Sequence, residues 1–490
     1  MRCLTLAAEF ARRGARAEFV CRELPGHLMG RIEREGYPVR RLDGPARDAA
    51  DAMGPGVPWQ QDADETRAVL ERVQPAWLIV DHYGIDARWE SAQRSAVERL
   101  LVIDDLADRR HDCDILLDQN YFGAATDERY RDLLPPGTQA LLGPRYALLR
   151  NEYLAARAAL APRTGGARRV LVYFGASDAT DESRKALQAL WAPEFAHLTV
   201  DIVLGTNHPA AAALEALAAT RPHTTVHGEL ASLAPLMLRA DLAIGAGGIT
   251  TWERLCLELP SVVVTVAANQ EPPTAALAEA GLVTWAGRAP SVSETQLRAA
   301  ISAALRTPRP TQPLVDGYGA ARVTAALLPP AAQHLRLQRA RASDAELLFN
   351  WRNEPLARAM SFDEQPIAWE AHRRWFEAKM ADRDVQIFIG MAEGLPVGQV
   401  RLEFHGDETE LSYGVEPLVR GRGFGTALVE QAVRGGKRIP PGGFRARVKA
   451  ANIASTTIFQ RLGWRAEPAG ADYVFRLARA APPHEPSRPQ

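Results

Sequence analysis

The sequence predicts an α/β chain in which two domains built on parallel sheets are followed by a mixed α+β domain. In the first part of the chain, apolar strand-like runs alternate with helical segments, and several of these runs end in loops of small or polar residues. Prolines cluster at 308–313 and 329–330, and beyond Leu335 the order of strands and helices changes. At 490 residues, the chain has room for about three domains of ordinary size.

A glycine-rich stretch from Gly245 to Pro260 organises the first part of the chain. It lies between the apolar runs 241–244 and 261–266, so the predicted order is strand, glycine loop, helix, strand. Gly247 and Gly248 allow the backbone to approach a ligand without hindrance from a Cβ atom. The free amides of a helix N-terminus behind such a loop bind anions, and a diphosphate is a usual occupant.

The helix after this loop is expected to begin at Thr250 or Thr251, since either residue is an acceptable N-cap. Glu253 lies in the first turn of that helix. Its carboxylate either accepts hydrogen bonds from a ribose diol or simply favours the positive end of the helix dipole. Taken alone, the dipole interpretation is the simpler one.

The motif Gly245-Ala-Gly-Gly-x-Thr-x-Trp-Glu253, followed by Leu-Pro260 and Asn269-Gln270, resembles the UDP-binding half of GT-B-type nucleotide-sugar enzymes. It is most similar to the UDP-sugar hydrolases of pseudaminic acid biosynthesis, which release 2,4-diacetamido-2,4,6-trideoxy-L-altrose from UDP. The resemblance implies that the UDP-sugar is bound by residues of this segment, namely Gly247, Gly248, Thr250, Glu253 and Asn269.

The first residues continue a second motif of the same family. Arg2-Cys-Leu4 is similar to the end of Gly-x-Gly-His-x-x-Arg-Cys-Leu, so Met1 falls between the family's histidine and its arginine. The resemblance implies that the first strand, its glycines and the catalytic histidine are absent from this sequence. We expect either a start codon assigned too late or a domain that has lost its base.

Polar residues follow several of the predicted strands, where α/β proteins place their ligands. Asp81-x-Tyr83 follows the strand at 76–80 and resembles the family pattern, which implies that Tyr83 acts on the substrate. Gly175 follows the strand at 170–174, and the family resemblance implies a ligand contact there. The pair Asp104-Asp105 is not expected to bind a metal, because neighbouring residues of a strand point in opposite directions and no third ligand is evident.

A second glycine loop lies in the C-terminal part of the chain. A strand at 410–415 precedes Arg420-Gly-Arg-Gly-Phe-Gly425, and a helix follows from Thr426. The later stretch Val448-Lys-Ala-Ala-Asn-Ile-Ala-Ser455 is followed by Phe459 and Gly-Trp464. Together these motifs resemble the GNAT acetyltransferases. The resemblance implies acetyl-CoA as co-substrate, bound by Val415, Arg420, Gly421, Arg422, Gly423, Phe424, Gly425, Thr426 and Asn452.

Acetyl transfer requires a base for the amine and an acid for the departing thiolate. Glu403 and Glu410 on adjacent predicted strands are the candidate bases, and exposed strand carboxylates are the simpler interpretation of each. Phe459 stands where many family members carry the tyrosine that serves as the acid, and Tyr473 lies outside the aligned position. Trp351-Arg352 is similar to the acceptor-binding helix of the family, although Trp351 also suits a core position.

Composition excludes several other functions. The 58 basic and 59 acidic residues nearly cancel, without a basic cluster interleaved with aromatic residues, so nucleic acid is not an expected partner. The four cysteines have no metal-ligand spacing, and we expect no metal and a reduced, cytoplasmic setting. Apolar runs are too short to span a bilayer, so we expect a soluble protein without a membrane partner.

These observations predict a GT-B-like pair of Rossmann-type domains followed by a GNAT α+β domain, with boundaries at 1–160, 161–330 and 331–480 and a disordered tail at 481–490. The two resemblances imply consecutive steps on one UDP-amino sugar, acetylation and then hydrolysis. Three alternatives remain open: a GT-B glycosyltransferase fused to the GNAT domain, an inactive UDP-sugar-binding module beside an active acetyltransferase, and acetylation of protein N-termini.

Overall fold

A computed structural model describes residues 1–44, 54–160, 165–205, 208–306, 314–435 and 442–478. The chain divides into two compact units, Met1–Thr324 and Ala325–Gln490. The predicted disordered tail at 481–490 lies outside the described residues. The boundary expected near residue 160, within the first unit, stays a prediction.

The first unit alternates helices with strands. Its helices are α1 (Arg2–Arg12), α2 (Met29–Arg34), α3 (Trp59–Val73), α4 (Ala87–Gln93), α5 (Asn151–Ala158), α6 (Glu182–Ala189), α7 (Ala211–Ala219), α8 (Ala234–Arg239), α9 (Ile249–Cys256), α10 (Glu271–Glu279) and α11 (Glu294–Arg306), and α12 (Gly319–Leu327) runs across the boundary between the units. Its strands are β1 (Phe19–Arg22), β2 (Val39–Leu42), β3 (Trp77–Val80), β4 (Arg99–Ile103), β5 (Ile115–Asp118), β6 (Gln139–Leu142), β7 (Arg169–Tyr173), β8 (Thr199–Val203), β9 (Thr224–His227), β10 (Leu242–Ala246), β11 (Ser261–Thr265) and β12 (Thr284–Arg288).

All strand pairs described in the first unit are parallel, as the alternation of strands and helices predicts. The strands form a pair, β1-β2, a four-stranded sheet, β3-β4-β5-β6, and a six-stranded sheet, β12-β11-β10-β7-β8-β9. In the six-stranded sheet the chain order reverses between β7 and β10. Ligands of open α/β sheets bind in the crevice at such a reversal, beyond the carboxyl ends of the strands.

The six-stranded sheet is buried on both faces. Every residue of β10 and β11 is buried, as expected for parallel strands that have helices on either side. One face packs with residues such as Val172, Ile202 and Ile301, and the other with Trp252 and Leu277. This packing fixes the ends of β7 and β10 and therefore the loops that follow them.

The second unit is a mixed sheet with helices. Its helices are α13 (Ala345–Asn353), α14 (Pro355–Ala359), α15 (Trp369–Ala381), α16 (Phe424–Gly435) and α17 (Ile453–Arg461). Its strands are β13 (Arg336–Arg339), β14 (Val385–Ala392), β15 (Leu395–His405), β16 (Glu408–Val415), β17 (Phe444–Val448), β18 (Arg465–Ala469) and β19 (Asp472–Leu477), in the spatial order β13-β14-β15-β16-β17-β19-β18.

Among the strand pairs described in this unit, β16 and β17 alone are parallel. Their register covers two positions, Thr409 opposite Phe444 and Glu410 opposite Arg445. Beyond these positions β16 continues to Val415 without a registered partner on that side. The two strands therefore diverge toward their carboxyl ends, and we call the resulting opening the wedge.

None of the helices in the described part of the chain combines the length and the apolar character that crossing a bilayer requires.

Candidate functional site

The first loop, defined here as Gly245, Ala246, Gly247 and Gly248, begins with the last two residues of β10 and leads into α9. Helix α9 begins at Ile249, and Gly248 is its N-cap with φ 93° and ψ −152°, a conformation that is essentially restricted to glycine. The prediction that Thr250 or Thr251 caps this helix is wrong. Glycine permits the turn into the helix before either threonine is reached.

The glycines of the first loop are also required for packing. A Cβ atom on Gly247 would lie 3.0 Å from Gln270 Oε1 and 3.3 Å from Thr274 Oγ1. A Cβ atom on Gly245 would lie 2.3 Å from the carbonyl oxygen of Tyr173 on the neighbouring strand. Close approach of β7 and α10 thus explains Gly245 and Gly247 without a ligand. Gly248 is exposed, and a Cβ atom there would meet Gln270 Nε2 at an ordinary contact distance of 3.7 Å.

A polar cavity of about 290 Å³, which we call the cleft, lies beside the first loop. Three of the predicted site residues line it: Tyr83, Gly248 and Asn269. The lining also includes side chains that the sequence analysis did not assign to the site, among them Arg2, Asp81, Asp105, Asn120, Trp252 and Gln270. The similarity of Arg2 to a family motif and the position of Asp105 at a strand end were the signals that could have identified these two residues.

Hydrogen bonds connect five of the polar residues in the cleft. Arg2 Nε donates to Asp81 Oδ2 at 3.2 Å, and Arg2 Nη1 lies 3.3 Å from Asp105 Oδ2. Tyr83 donates its hydroxyl proton to Asp105 at 3.2 Å, and the amide of Asn269 donates to the Tyr83 oxygen at 3.3 Å. The network brings the strand ends of the four-stranded sheet to the segment that follows β11.

The Tyr83 hydroxyl is a hydrogen-bond donor rather than a proton acceptor at neutral pH. Burial, followed by the charge of Asp105, raises the pKa of Tyr83 to about 12, so its hydroxyl stays protonated at neutral pH. Burial also raises the pKa of Asp105, against the opposing charge of Arg2. The catalytic role predicted for Tyr83 stays a prediction.

The other predicted residues of the first unit lie outside the described lining of the cleft: Gly175, Gly247, Thr250 and Glu253. Gly175 has φ 97° and open space around it, two residues after the end of β7. Burial raises the pKa of Glu253 to about 7, while the Tyr153 hydroxyl and Arg150 oppose the shift. The contacts predicted between these residues and a UDP-sugar stay predictions.

Asp178, Asp181 and His208 bring possible metal-ligating atoms within 4.8 Å of one another. Their hydrogen bonds explain the arrangement without an ion. Asp178 accepts from the amides of Glu182 and Ser183 at 2.9 and 2.8 Å, which caps the start of α6. His208 Nδ1 accepts from a backbone amide, so Nε2 carries the proton and faces Asp178 Oδ2 at 3.3 Å.

Residues 420–425 of the second unit, here called the second loop, follow β16 and include the first two residues of α16. Gly421 and Gly423 have φ 76° and 84°, the left-handed region that glycine enters without a steric penalty. A Cβ atom on Gly425 would lie 2.7 Å from Ile458 Cδ1 and 3.3 Å from Tyr413 Cε2. The three glycines therefore shape the loop and let the N-terminus of α16 approach β16 and α17.

A cavity of about 860 Å³, which we call the large cavity, extends from the second loop to α13 and α15. Most of the residues predicted to bind acetyl-CoA or the acceptor line it, namely Trp351, Arg352, Val415, Arg420, Gly421, Gly423, Gly425, Thr426 and Asn452. Arg422 and Phe424 are not in its described lining, and Phe424 is buried in the core instead. Helix α16 begins at Phe424, two residues before the expected start.

Two residues of α13 reach the large cavity and are held by hydrogen bonds. Buried Trp351 donates from Nε1 to Glu416 Oε2 at 2.5 Å, which links α13 to the segment after β16. Arg352 donates from Nη2 to the carbonyl oxygen of Asp363 at 2.7 Å. Its other terminal nitrogen, Nη1, is buried and makes no hydrogen bond with any described residue, so it is available to a ligand.

Glu403 and Glu410 lie directly opposite each other on β15 and β16, so the prediction of adjacent strands is confirmed. Neither is in the described lining of the large cavity. Glu403 accepts from Lys379 at 2.5 Å, and Glu410 accepts from Arg445 at 2.8 Å. Burial would raise the pKa of Glu403, but Lys379 and Arg401 outweigh it and lower the pKa. The predicted role of these carboxylates as bases stays a prediction that their ion pairs do not favour.

Phe459 is buried and packs against three aromatic rings. Its ring centroid lies 4.8 Å from that of Trp464, 5.3 Å from that of Phe475 and 5.9 Å from that of Tyr413. Tyr413, which lies on a different element, brings a hydroxyl group close to the position of Phe459. Tyr413 on β16 is hydrogen bonded to Ser455 on α17 at 2.8 Å, a pair that sequence analysis missed because the partners are 42 positions apart.

Comparison with known proteins identifies the second unit. Residues 334–465 match the model of the family described as acetyltransferase (GNAT) domain. The match covers the second loop, the wedge and α17. The C-terminal part of the chain is therefore a GNAT acetyltransferase domain, as its motifs predicted.

Two relatives extend the comparison to the first unit. An uncharacterized protein of Methanocaldococcus jannaschii is 22% identical over 420 residues, which cover 82% of this chain and 84% of that protein. The spore coat polysaccharide biosynthesis protein SpsG of Bacillus subtilis is 28% identical over 213 residues, which cover 42% of this chain and 62% of that protein. The N-terminal part of the chain is thus similar to a protein of sugar biosynthesis.

Solved structures also match parts of the chain. A domain from Methanocaldococcus jannaschii is 23% identical with a TM-score of 0.27 and covers 29% of this chain and 97% of that chain. A spermidine N-acetyltransferase from Vibrio cholerae, in complex with CoA and spermine, is 16% identical with a TM-score of 0.27 and covers 29% and 94%. TM-scores of this size do not establish a shared fold over the whole chain.

Proposed function

We propose that the chain is a bifunctional nucleotide-sugar enzyme of pseudaminic acid biosynthesis. Its C-terminal domain transfers the acetyl group of acetyl-CoA to UDP-4-amino-4,6-dideoxy-β-L-AltNAc. Its first unit hydrolyses the product, UDP-2,4-diacetamido-2,4,6-trideoxy-L-altrose, to UDP and the free sugar. The presence of two glycine loops at helix N-termini, one beside each cavity, is the observation that carries the proposal.

The acetyl transfer is supported by the GNAT domain and by the surroundings of its second loop. The free amides at the start of α16 suit a pyrophosphate, and Gly421 and Gly423 keep side chains away from that position. Asn452 lines the same cavity from the start of α17, on the other side of the wedge. Acetyl-CoA would supply the acetyl group as an activated thioester.

The charge of the large cavity favours an anionic acceptor. Its described lining contains four guanidinium groups and one carboxylate, namely Arg352, Arg401, Arg420 and Arg461 against Asp363. Arg401 and Arg420 form ion pairs with Glu403 and Glu354 outside that lining, so the excess positive charge is that of Arg352 and Arg461. Like charges close to a buried ligand are costly, so this lining disfavours a polycation such as the spermine bound by the Vibrio protein. A UDP-linked amino sugar combines a neutral amine with a diphosphate and fits the balance of charges.

The support for the hydrolysis step is less direct than the support for the acetyl transfer. The Bacillus relative is a spore coat polysaccharide biosynthesis protein, and polysaccharide biosynthesis belongs to sugar chemistry. In the cleft, the exposed start of α9 offers free amides to a diphosphate, and Tyr83 and Asn269 offer polar contacts to a sugar. Cleavage also needs a group that removes a proton from water. Asp81 and Asp105 are the carboxylates that line the cleft.

Mass spectrometry of the full chain with acetyl-CoA and UDP-4-amino-4,6-dideoxy-β-L-AltNAc tests both steps. We expect a mass gain of one acetyl group followed by release of UDP and free sugar. The chemically acetylated UDP-sugar, supplied without acetyl-CoA, isolates the second step, and spermidine and a peptide with a free N-terminus serve as competing acceptors.

Each other outcome points to one of the alternatives. Acetylation without UDP release would indicate a UDP-sugar-binding module beside an active acetyltransferase. A glycoside in place of the free sugar, once an acceptor is added, would indicate a glycosyltransferase. Preference for spermidine or the peptide over the UDP-amino sugar would contradict the proposed acceptor.

A further inference from the structure

Tyr413 places a hydroxyl group inside the wedge, where the second loop, β16 and α17 meet. Its Cε2 atom lies 3.3 Å from the position that a Cβ atom on Gly425 would occupy. Its oxygen lies 2.8 Å from Ser455 Oγ, in the first turn of α17. Both residues line the large cavity together with Asn452. The hydroxyl pair therefore links β16 to the first turn of α17 beside the second loop.

The other residues considered for proton transfer do not reach this position. Phe459 has no ionisable group and is enclosed by aromatic rings. Tyr473 on β19 packs against Phe475, with ring centroids 6.1 Å apart, and is not in the described lining of the cavity. Glu403 and Glu410 are engaged by basic side chains outside that lining.

His372 also lines the large cavity, but it suits the amine side of the reaction rather than the thiolate side. Its Nε2 atom donates to the carbonyl oxygen of Ala345 at 2.9 Å, and it lies among the rings of Phe349, Trp369 and Trp375 on the α15 side. Burial lowers the pKa of His372, so the ring is neutral at physiological pH. A neutral imidazole is a poor donor to a thiolate.

We infer that Tyr413, positioned by Ser455, donates the proton that the sulfur of CoA takes up as it leaves. The neutral amine attacks the thioester carbonyl carbon, which forms the C–N bond and gives a tetrahedral intermediate. As that intermediate collapses, the C–S bond breaks and the sulfur receives the Tyr413 proton. The proton lost by the amine nitrogen restores the phenol through solvent in the cavity, so one amine and one thioester give one amide and one thiol.

The protonation state of Tyr413 agrees with this role. Burial raises the pKa of Tyr413 above its ordinary value, and the hydrogen bond with Ser455 opposes the shift. The phenol is therefore protonated throughout the neutral range. The inference rests on the acetyl transfer of the proposed function and is independent of the acceptor.

The experiment compares the full chain with Tyr413→Phe, which removes the hydroxyl and keeps the ring that packs against Phe459. We expect kcat for acetyl transfer to fall by about 100-fold, the lower range for loss of general acid catalysis, while KM for acetyl-CoA changes little. Tyr473→Phe removes a hydroxyl outside the described cavity lining and is the matched control, with an expected change of less than about twofold. Ser455→Ala should give an intermediate loss, because the phenol remains but its orientation is less fixed.

A change of leaving group separates acid catalysis from a structural effect. An acetyl thioester of a more acidic thiol needs less protonation as it departs, so the difference between wild-type and Tyr413→Phe should shrink by about tenfold or more. A Tyr413→Phe variant with the wild-type rate, or with the same deficit for both thioesters and normal CoA binding by calorimetry, would overturn the inference. Acetylation of an amine other than the UDP-amino sugar would contradict the proposed acceptor alone, since the comparison of variants can be made with whichever amine reacts.

Discussion

The first and second loops follow the same local plan and yet border cavities of different kinds. Each follows a strand and ends at the N-terminus of a helix. The first loop lies at the reversal of the six-stranded parallel sheet, beside a cleft of about 290 Å³ whose polar groups come largely from the strand ends of the four-stranded sheet. The second lies at one diverging parallel pair in an otherwise antiparallel sheet, beside a cavity of about 860 Å³.

This difference distinguishes what a glycine loop contributes to a binding site from what the surrounding structure contributes. The loop supplies free amides and room for an anion, which are local properties of a helix start. The surrounding elements decide which other side chains lie around the anion. In the first unit these are Arg2 at the start of α1 and the carboxylates and Tyr83 that follow β3 and β4, whereas in the second they are arginines and aromatic residues from helices, strands and the second loop.

The largest expected effect that tests this comparison is on the first loop. Alanine at Gly248 would be forced into φ 93° and ψ −152°, at a cost of about 1–3 kcal/mol, or would move the start of α9. We expect Gly248→Ala to weaken UDP binding by about 10- to 100-fold, measured by calorimetry, and to leave acetyl transfer unchanged.

Gly281→Ala is the matched control for this variant. Gly281 also has a positive φ, 71°, but it lies after α10 with open space around it and outside the described lining of the cleft. The control should lower stability without weakening UDP binding. Equal losses of binding in both variants would show that the first loop has no special role.

A somewhat smaller effect is expected from Gly423→Ala in the second loop. Gly423 has φ 84° and no close neighbour, so backbone strain alone applies, about 1–2 kcal/mol. We expect KM for acetyl-CoA to rise by about tenfold while UDP binding to the first unit is retained. Gly463→Ala, at φ 78° after α17, is the control with similar strain outside the described cavity lining. Loss of UDP binding in Gly423→Ala would contradict the assignment of separate ligands to the two loops.

The smallest expected effect concerns pH, and two histidines predict opposite directions for the two units. Burial would lower the pKa of His111 in the first unit, but Asp104 and Glu90 outweigh it and raise the pKa from 6.5 to about 9. The folded state then holds this proton more tightly than the unfolded state. The associated stability is present below pH 6.5 and is lost as pH rises through about 9, by an amount on the order of 1 kcal/mol.

His372 in the second unit has the opposite shift, because burial lowers its pKa below 6.5. Its contribution to stability is present above pH 6.5 and is lost as pH falls through the folded pKa. Thermal unfolding of the full chain between about pH 5 and 9 measures both effects. His111→Gln should flatten the loss on the alkaline side, and His372→Gln the loss on the acid side. A single variant that flattened both sides would refute the separate assignments.

Much of the fold and part of each site could be predicted from sequence, because the relevant signals are local. Runs of buried residues mark β7, β10 and β11, and glycines followed by helical periodicity mark both loops. The position of Phe459 already showed that the usual tyrosine is missing. The start of α9 was misplaced, because the positive φ at Gly248 outweighs the capping preference of the threonines that follow.

The sequence by itself determined where the strands and the glycine loops fall, and placed the starts of α9 and α16 to within about two residues, because apolar patterning and backbone freedom depend on neighbouring residues. Only the tertiary structure decided which distant side chains meet. Arg2 reaches Asp81 and Asp105, Glu403 is neutralised by Lys379, and Tyr413 meets Ser455 across the wedge. These contacts depend on the order and divergence of strands, which spacing along the chain does not encode.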